Sequence, residues 1–367
     1  MKRRHGWFLG TGVVSELGGG LWSDPDRGST AGGKGEIMGG GEKPTLMLEA
    51  EGEKVAIALD TESSPRILLA VLERLPLAVD LHCAKLAGDQ ILWPTTVVMP
   101  LEGARSINDL PDAPFIYYPD RQFLEIIYAP IQDEEADVVY LGEASGHVDA
   151  LQRLGEKVQA GQGNRVIRGR LSVGGDGAWV EDFRRRVHAM APDPRYVDRP
   201  GVDALGHFGR SVREAAEAMA DAPPAEIMTM MRRRGIMLPA GPLLNAQGET
   251  RKLHEALWAL RERASAAGDK PLHSAIAVDD FVADAAAVLL RTAEDKLANF
   301  YGLHDAGGFA GRIADHFEET SEDARTMLDE VIVWVGRLDG WLDACIPWQA
   351  VNAAVERASD ALVGDGG

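Results

Sequence analysis

The chain changes its periodicity once. Between Thr45 and about Val173, apolar residues alternate or come in short bursts between turns; beyond residue 200 they recur every three or four positions. A repeat of two suits a strand whose side chains alternate between faces, and a repeat of 3.6 suits a helix with one buried stripe. The fold class that follows is α+β with two domains. Residues 45–173 form a small closed or nearly closed β-barrel carrying one or two helices, and residues 201–364 form an all-α bundle of five to seven helices. Residues 174–200 contain "GGDG" and "APDPRYVDRPG" and read as the linker. A length of 367 residues is long for one domain and comfortable for two.

Local signals place the elements. "TLMLEAEG" and "KVAIALD" flank a tight "EGEK" turn, an opening hairpin. "SPRILLAVLERLP" then shows helical spacing, with Ser64 as N-cap and Pro65 in the first turn. Strands follow in "DLHCAKLAG", "QILWPTTVVMP", "PFIYYP", "QFLEIIYAP" and "ADVVYLGEA", then a helix in "HVDALQRLGEKV" and a last strand in "NRVIRGRLSV". In the second half three sets repeat at helical spacing: Leu253, Leu257 and Leu260; Val278, Phe281, Ala285 and Val288; Leu328, Val331, Val335, Leu338 and Leu342. Thr320 or Ser321 is the expected cap of the last set.

Residues 1–44 follow a different logic. "MKRRHGWFLGTGVV" opens like a secretory signal, but its apolar part is short, broken by Gly10 and Gly12, and lacks a cleavage site. Residues 17–44 are Gly-rich with no hydrophobic period and read as disordered. "GGKGEIM" back-translates to a purine-rich stretch that accommodates a ribosome-binding sequence ahead of Met38, so translation is expected to start there.

The order of hairpin, helix, "LHCAKLAGDQILWP" and "IYYPDRQFLEIIYAP" resembles a bacterial cyclophilin-like family of small β-barrel proteins of largely unassigned function. The features that carry the likeness are Leu75-Pro76 at a helix end, Trp93-Pro94 after an apolar strand, and the Tyr118-Pro119 turn. The resemblance covers about residues 45–173. It implies a cyclophilin-like barrel but not prolyl isomerase activity, because the Arg-Phe-Gln run and the Asn-rich loop of true cyclophilins are missing. Of the Gly-Asn-His-Phe-like stretch of the small relatives, only Gly146-His147 remains.

The candidate ligand-binding residues are Trp93, Tyr118, Arg121 and Gln122, at one mouth of the barrel. An aromatic wall beside a guanidinium suits a small anionic or planar ligand. The competing reading pairs Asp120 with Arg121 at the surface and lets the aromatics fill the barrel. His82 and Cys83 are neighbours on a strand and face opposite ways, so they are no catalytic dyad, and Cys83 reads as a small buried hydrophobe. Cys83 and Cys345 form no disulfide framework, and no Cys/His spacing suits zinc. The bundle histidines lack a Glu-x-x-His pattern, so neither metal nor cofactor is expected.

A formal charge of −19 disfavours a nucleic-acid partner. No apolar run reaches the roughly 20 residues that span a bilayer; the most hydrophobic, "DEVIVWVGRLDGW", is interrupted by charge. The expectation is a cytoplasmic binding or accessory protein whose barrel holds a small molecule or peptide segment. The helical half would meet a second copy or a pathway partner. The alternative is a metabolic enzyme acting on a small polar substrate at the barrel mouth or the domain interface. Fold alone does not choose between them.

Overall fold

The computed structural model describes residues 44–83, 88–131, 136–163, 165–197, 199–232, 240–268 and 276–346. The readings of residues 1–43 as leader and of Met38 as start lie outside them, as does the end of the helical half beyond residue 346.

The chain opens with β1 (Thr45–Ala50) and β2 (Glu53–Leu59), paired antiparallel with Ala50 opposite Glu53. Glu51 and Gly52 join them, both with positive φ, at 49° and 83°. That is the turn whose twist matches a tight hairpin. Leu46, Leu48 and Ala50 alternate inward with Val55 and Ile57. Helix α1 (Pro65–Leu72) buries Ile67 to Leu72. Ser64 sits at its N-cap, but its hydroxyl donates to the Glu102 carbonyl. The capping oxygen belongs instead to the Glu102 carboxylate, which accepts from the N–H groups of Arg66 and Ile67 and pairs with the Arg66 guanidinium.

β3 (Leu77–Cys83), β4 (Gly88–Pro94), β5 (Ala104–Ser106), β6 (Pro114–Tyr118), β7 (Phe123–Ile131) and β8 (Asp137–Glu143) follow, then helix α2 (Val148–Gly161) and β9 (Ile167–Val173). The sheet runs β2-β1-β9-β3-β4-β7-β6-β8 and closes where Ala58 and Leu59 of β2 pair with Glu143 and Gly142 of β8. All pairings are antiparallel, and β5 lies on the remaining edge of β8. Gly142, at φ 155°, makes the closure: a Cβ there would sit 3.0 Å from the Leu59 Cα. The barrel interior is packed by its own side chains, with Trp93 stacked on Phe115 at 6.0 Å and Tyr117, Leu124 and Ile126 beside them.

Residues 174–200 are more than a connector. They include helix α3 (Trp179–His188), whose Phe183 and Val187 join the barrel core. Beyond lie α4 (His207–Asp221), α5 (Ala225–Arg232), α6 (Ala240–Ala267), α7 (Val278–Asp295), α8 (His304–Glu319) and α9 (Ala324–Cys345). α7 ends in one wider turn, Lys296–Phe300. Helix α9 is the axis of this half, buried on nearly every face, with Asp323 rather than Thr320 or Ser321 at its N-cap. Of the expected face of α7, Val278 is buried and Phe281 and Ala285 are half-buried against the core. Val288 is exposed, and the buried stripe is Val282, Ala283, Ala286, Ala287 and Leu290. An α+β chain with a barrel half and a helical half is therefore observed. The described residues belong to one compact unit, Glu42–Gly367. No described helix is long and apolar enough to cross a membrane.

Candidate functional site

The two halves meet through polar groups. On the outer face of the sheet, His82 of β3 stands beside Leu92 of β4 and Glu125 of β7, and all three are buried. Helix α9 covers this face because it carries glycine where the barrel comes closest. A Cβ at Gly340 would sit 2.9 Å from the Pro94 ring, and one at Gly336 would run into the Gln122 side-chain oxygen. Asp343 of α9 reaches His82 Nδ1 at 3.6 Å. Asp339 accepts from Arg251, Gln247 and Thr250 of α6, and Arg251 stacks over Phe123 of β7.

Gln122, one of the sequence-predicted residues, occupies a corner of this interface. It turns the chain into β7 with a left-handed φ of 53°, and its backbone carbonyl accepts from Thr95 N–H. Its side-chain oxygen lies 3.0 Å from His254 Nε2. His254 is 1% exposed, with Trp258 edge-on to it at 6.4 Å. Burial holds this imidazole neutral, with its pKa down to about 4. The other predicted residues are placed apart from it. Trp93 faces the barrel core, while Tyr118 and Arg121 are half-buried, with the guanidinium 5.8 Å from the Tyr118 ring. None of the four lines the cavities described next.

A cleft of about 360 Å³ opens between the end of α1, the connector, α4 and α9. Four arginines from four segments line it: Arg74, Arg199, Arg213 and Arg337. Arg74 donates to Ala70 O at 2.6 Å and to Thr96 Oγ1 at 2.8 Å. Arg199 and Arg213 share Glu330, which is fully buried, and Arg213 also donates to Pro200 O. Arg337 differs. It is 9% exposed, and among the described residues no hydrogen bond or ion pair reaches it. Burial pushes its pKa down, against a weaker pull from Asp80. Ala216, Ala220 and Val333 supply an apolar wall, and Glu217 stands at the exposed rim without a partner.

Pro200 also lines a second, larger cavity of about 520 Å³, bounded by α6, the start of α7 and the first turns of α9. Its floor holds Asp329, whose Oδ1 accepts from Arg261 Nε at 2.8 Å. Burial raises this carboxyl to a pKa of about 6 in spite of the arginine. No group of three or more His, Cys, Asp or Glu placed to hold a metal occurs among the described residues.

No family model matches the sequence, and no curated protein matches it. A solved structure, that of McbB in complex with tryptophan, is similar in fold. The TM-score is 0.63 at 18% identity, covering 84% of this chain and 99% of that one. That share is too large for the barrel alone, so the likeness extends into the helical half. At this identity the likeness is one of fold alone.

The cleft residues escaped the sequence reading because Arg74, Arg199, Arg213 and Arg337 converge only through the docking of the two halves. One signal was present: "VIVWVGRLDGW" is an apolar run interrupted by charge, and its arginine is Arg337. A helix apolar on all sides is buried, so a charge within it requires a partner.

Proposed function

We propose that the protein binds a small organic anion, with its carboxylate on Arg337, in the cleft between barrel and helices. The observation that carries this is Arg337, a residue nine-tenths buried whose guanidinium has no hydrogen bond or ion pair among the described residues. Taking an ion out of water costs several kcal/mol unless a counter-charge and hydrogen bonds answer it. An arginine fork is matched by a carboxylate, and the small apolar wall suits the body of such a ligand. Glu217 at the rim suits an ammonium, so an amino acid is the first ligand to try, and the fold likeness to McbB in complex with tryptophan supports that choice. The ligand then lies at the junction rather than inside the barrel, whose interior Trp93, Phe115 and Tyr117 fill. The cyclophilin-like reading of residues 45–173 is kept as part of this proposal. Eight strands closed antiparallel, with α1 and α2 packed against the same core, support it, and the missing Arg-Phe-Gln run still argues against prolyl isomerase activity.

Calorimetric titration with tryptophan, indole-3-propionate and tryptamine tests the reading. The carboxylate-bearing pair binds, and tryptamine, which lacks the carboxylate, does not. Arg337→Met weakens binding about 10- to 100-fold, the value of a hydrogen bond to a charged group. The same substitution leaves stability unchanged or raised, since it removes an unanswered buried charge. Equal binding of tryptophan by wild type and R337M, or a preference for tryptamine, overturns the proposal.

A further inference from the structure

We infer that the 520 Å³ cavity is a second ligand site, which takes a small molecule bearing a basic nitrogen and anchors it on the free oxygen of Asp329. Among the described residues, Arg261 is the one cation in contact with that carboxylate. Its Nε is spent on Asp329 Oδ1 and its Nη2 on the Val98 carbonyl, each at 2.8 Å. Its plane lies over the Trp258 ring, and its Nη1 is enclosed away from solvent without a partner. Arg261 is thereby held by the fold and cannot swing out to meet a ligand. Asp329 is the under-served member of the pair. Its second oxygen accepts nothing from any described residue, and the residue forms part of the cavity wall.

The surrounding charges set the sign of the ligand. Asp279 of α7 is paired with Arg325 at 2.9 Å, and Arg261 balances Asp329. Asp323 has no side-chain partner among the described residues and leaves the cavity acidic. Ser265 and Thr326 add neutral hydroxyls. The groups that bear on Asp329 are therefore Arg261 from α6, Arg199 from the connector, Glu330 on its own helix, and the Asp279–Arg325 pair with Asp323 at the rim. A protonated amine completes the open half of the carboxylate with a charge-assisted hydrogen bond. The raised pKa is what a carboxylate short of such donors shows, and a titrating group within a cavity is a recognised mark of a functional site. Across Pro200, the Arg337 cleft carries the opposite preference, and this inference does not depend on it.

Benzylamine is the probe, with benzoate as its charge-inverted control, followed by ligand-observed NMR titration of the full chain. Benzylamine binds the wild-type protein and R337M alike, and Asp329→Asn weakens it at least tenfold. Affinity falls about tenfold between pH 7.5 and pH 5, as Asp329 takes up its proton while benzylamine keeps its own. If D329N does not fold, Ser265→Phe, which narrows the cavity and spares the carboxylate, must abolish binding. No binding of benzylamine to the wild type, equal binding by D329N or S265F, or tighter binding of benzoate overturns the inference.

Discussion

Replacing Gly336 by alanine tests how the two halves are joined. In a helix interior this change is ordinarily favourable by about 1 kcal/mol, because glycine loses more backbone freedom. Gly248 in α6 has nothing within 4 Å of its missing Cβ, so Gly248→Ala should stabilise the protein by about that amount. At Gly336 the same methyl runs into Gln122 Oε1 and lies 3.1 Å from His254 Nε2. Neither side chain can move aside, at 2% and 1% exposure. The pair must separate, leaving two buried polar groups unsatisfied at about 1–3 kcal/mol each. After the helix gain, Gly336→Ala should cost roughly 1–5 kcal/mol, on those same values. Urea unfolding followed by far-ultraviolet circular dichroism reads both variants. In the Gln122→Ala background most of the penalty at 336 should vanish, since the group being struck is gone. A Gly336→Ala protein as stable as Gly248→Ala would refute the reasoning, because the Gln122–His254 pair would not then be fixed against α9.

Two further outcomes follow from the buried charges. Glu330→Gln removes the buried charge that Arg199 and Arg213 share and should cost about 3–5 kcal/mol, as breaking a buried pair does; a loss below about 1 kcal/mol in the same urea assay would mean that water already reaches the pair. His254 and Asp329 act oppositely on acidification. His254 titrates at about 4 when folded against an ordinary 6.5, so its contribution is complete above 6.5 and is lost towards pH 4, about 3 kcal/mol in all. Asp329 titrates at about 6 against 3.8, so its contribution is present below 3.8 and is lost as pH rises through 6. The two nearly cancel in the wild type between pH 4 and 6.5. Asp329→Asn should expose a fall in urea midpoint on acidification and His254→Gln a rise, and midpoints that keep the wild-type pH profile in both variants would count against this assignment.

How much of this was legible depended on how local the controlling interaction is. The β1–β2 hairpin was readable because Glu51-Gly52 and the alternation of Leu46 and Leu48 decide it within a few residues. In α7 the period was readable, but only part of the face. The sequence offers Val278, Phe281, Ala285 and Val288; Val278 is buried, while the buried stripe runs on through Val282, Ala283, Ala286, Ala287 and Leu290, and α8 comes close at Gly307 and Gly311 against Glu294 and Ala298. Close approach favoured small side chains over large ones, and Val288 was left outside. Trp93 shows the same limit in a strand. Both faces of β4 are apolar enough that alternation does not say which one is interior, and the partner strand decides: Trp93 pairs with Leu124, and both face the barrel core. The sequence groups Gln122 with Tyr118 and Arg121 at a barrel mouth, and the structure gives its side chain His254, 132 residues away, as partner.

Helix α9 is what places the proposed site at the junction. Four charged residues on it are buried: Glu330, Arg337, Asp339 and Asp343. Each of the three acids is answered by a different part of the chain. Glu330 takes Arg199 of the connector and Arg213 of α4, Asp339 takes Arg251 of α6, and Asp343 faces His82 of β3. Those contacts pin the helix to the barrel, the connector and its neighbours, and they account for the acids as parts of the fold. Arg337 lies on the same helix at similar depth and pins nothing. A chain selected only to fold gains by replacing it with an apolar residue of similar length, because an unpaired buried cation destabilises. Its place beside a 360 Å³ cleft makes sense when the counter-charge arrives with the ligand.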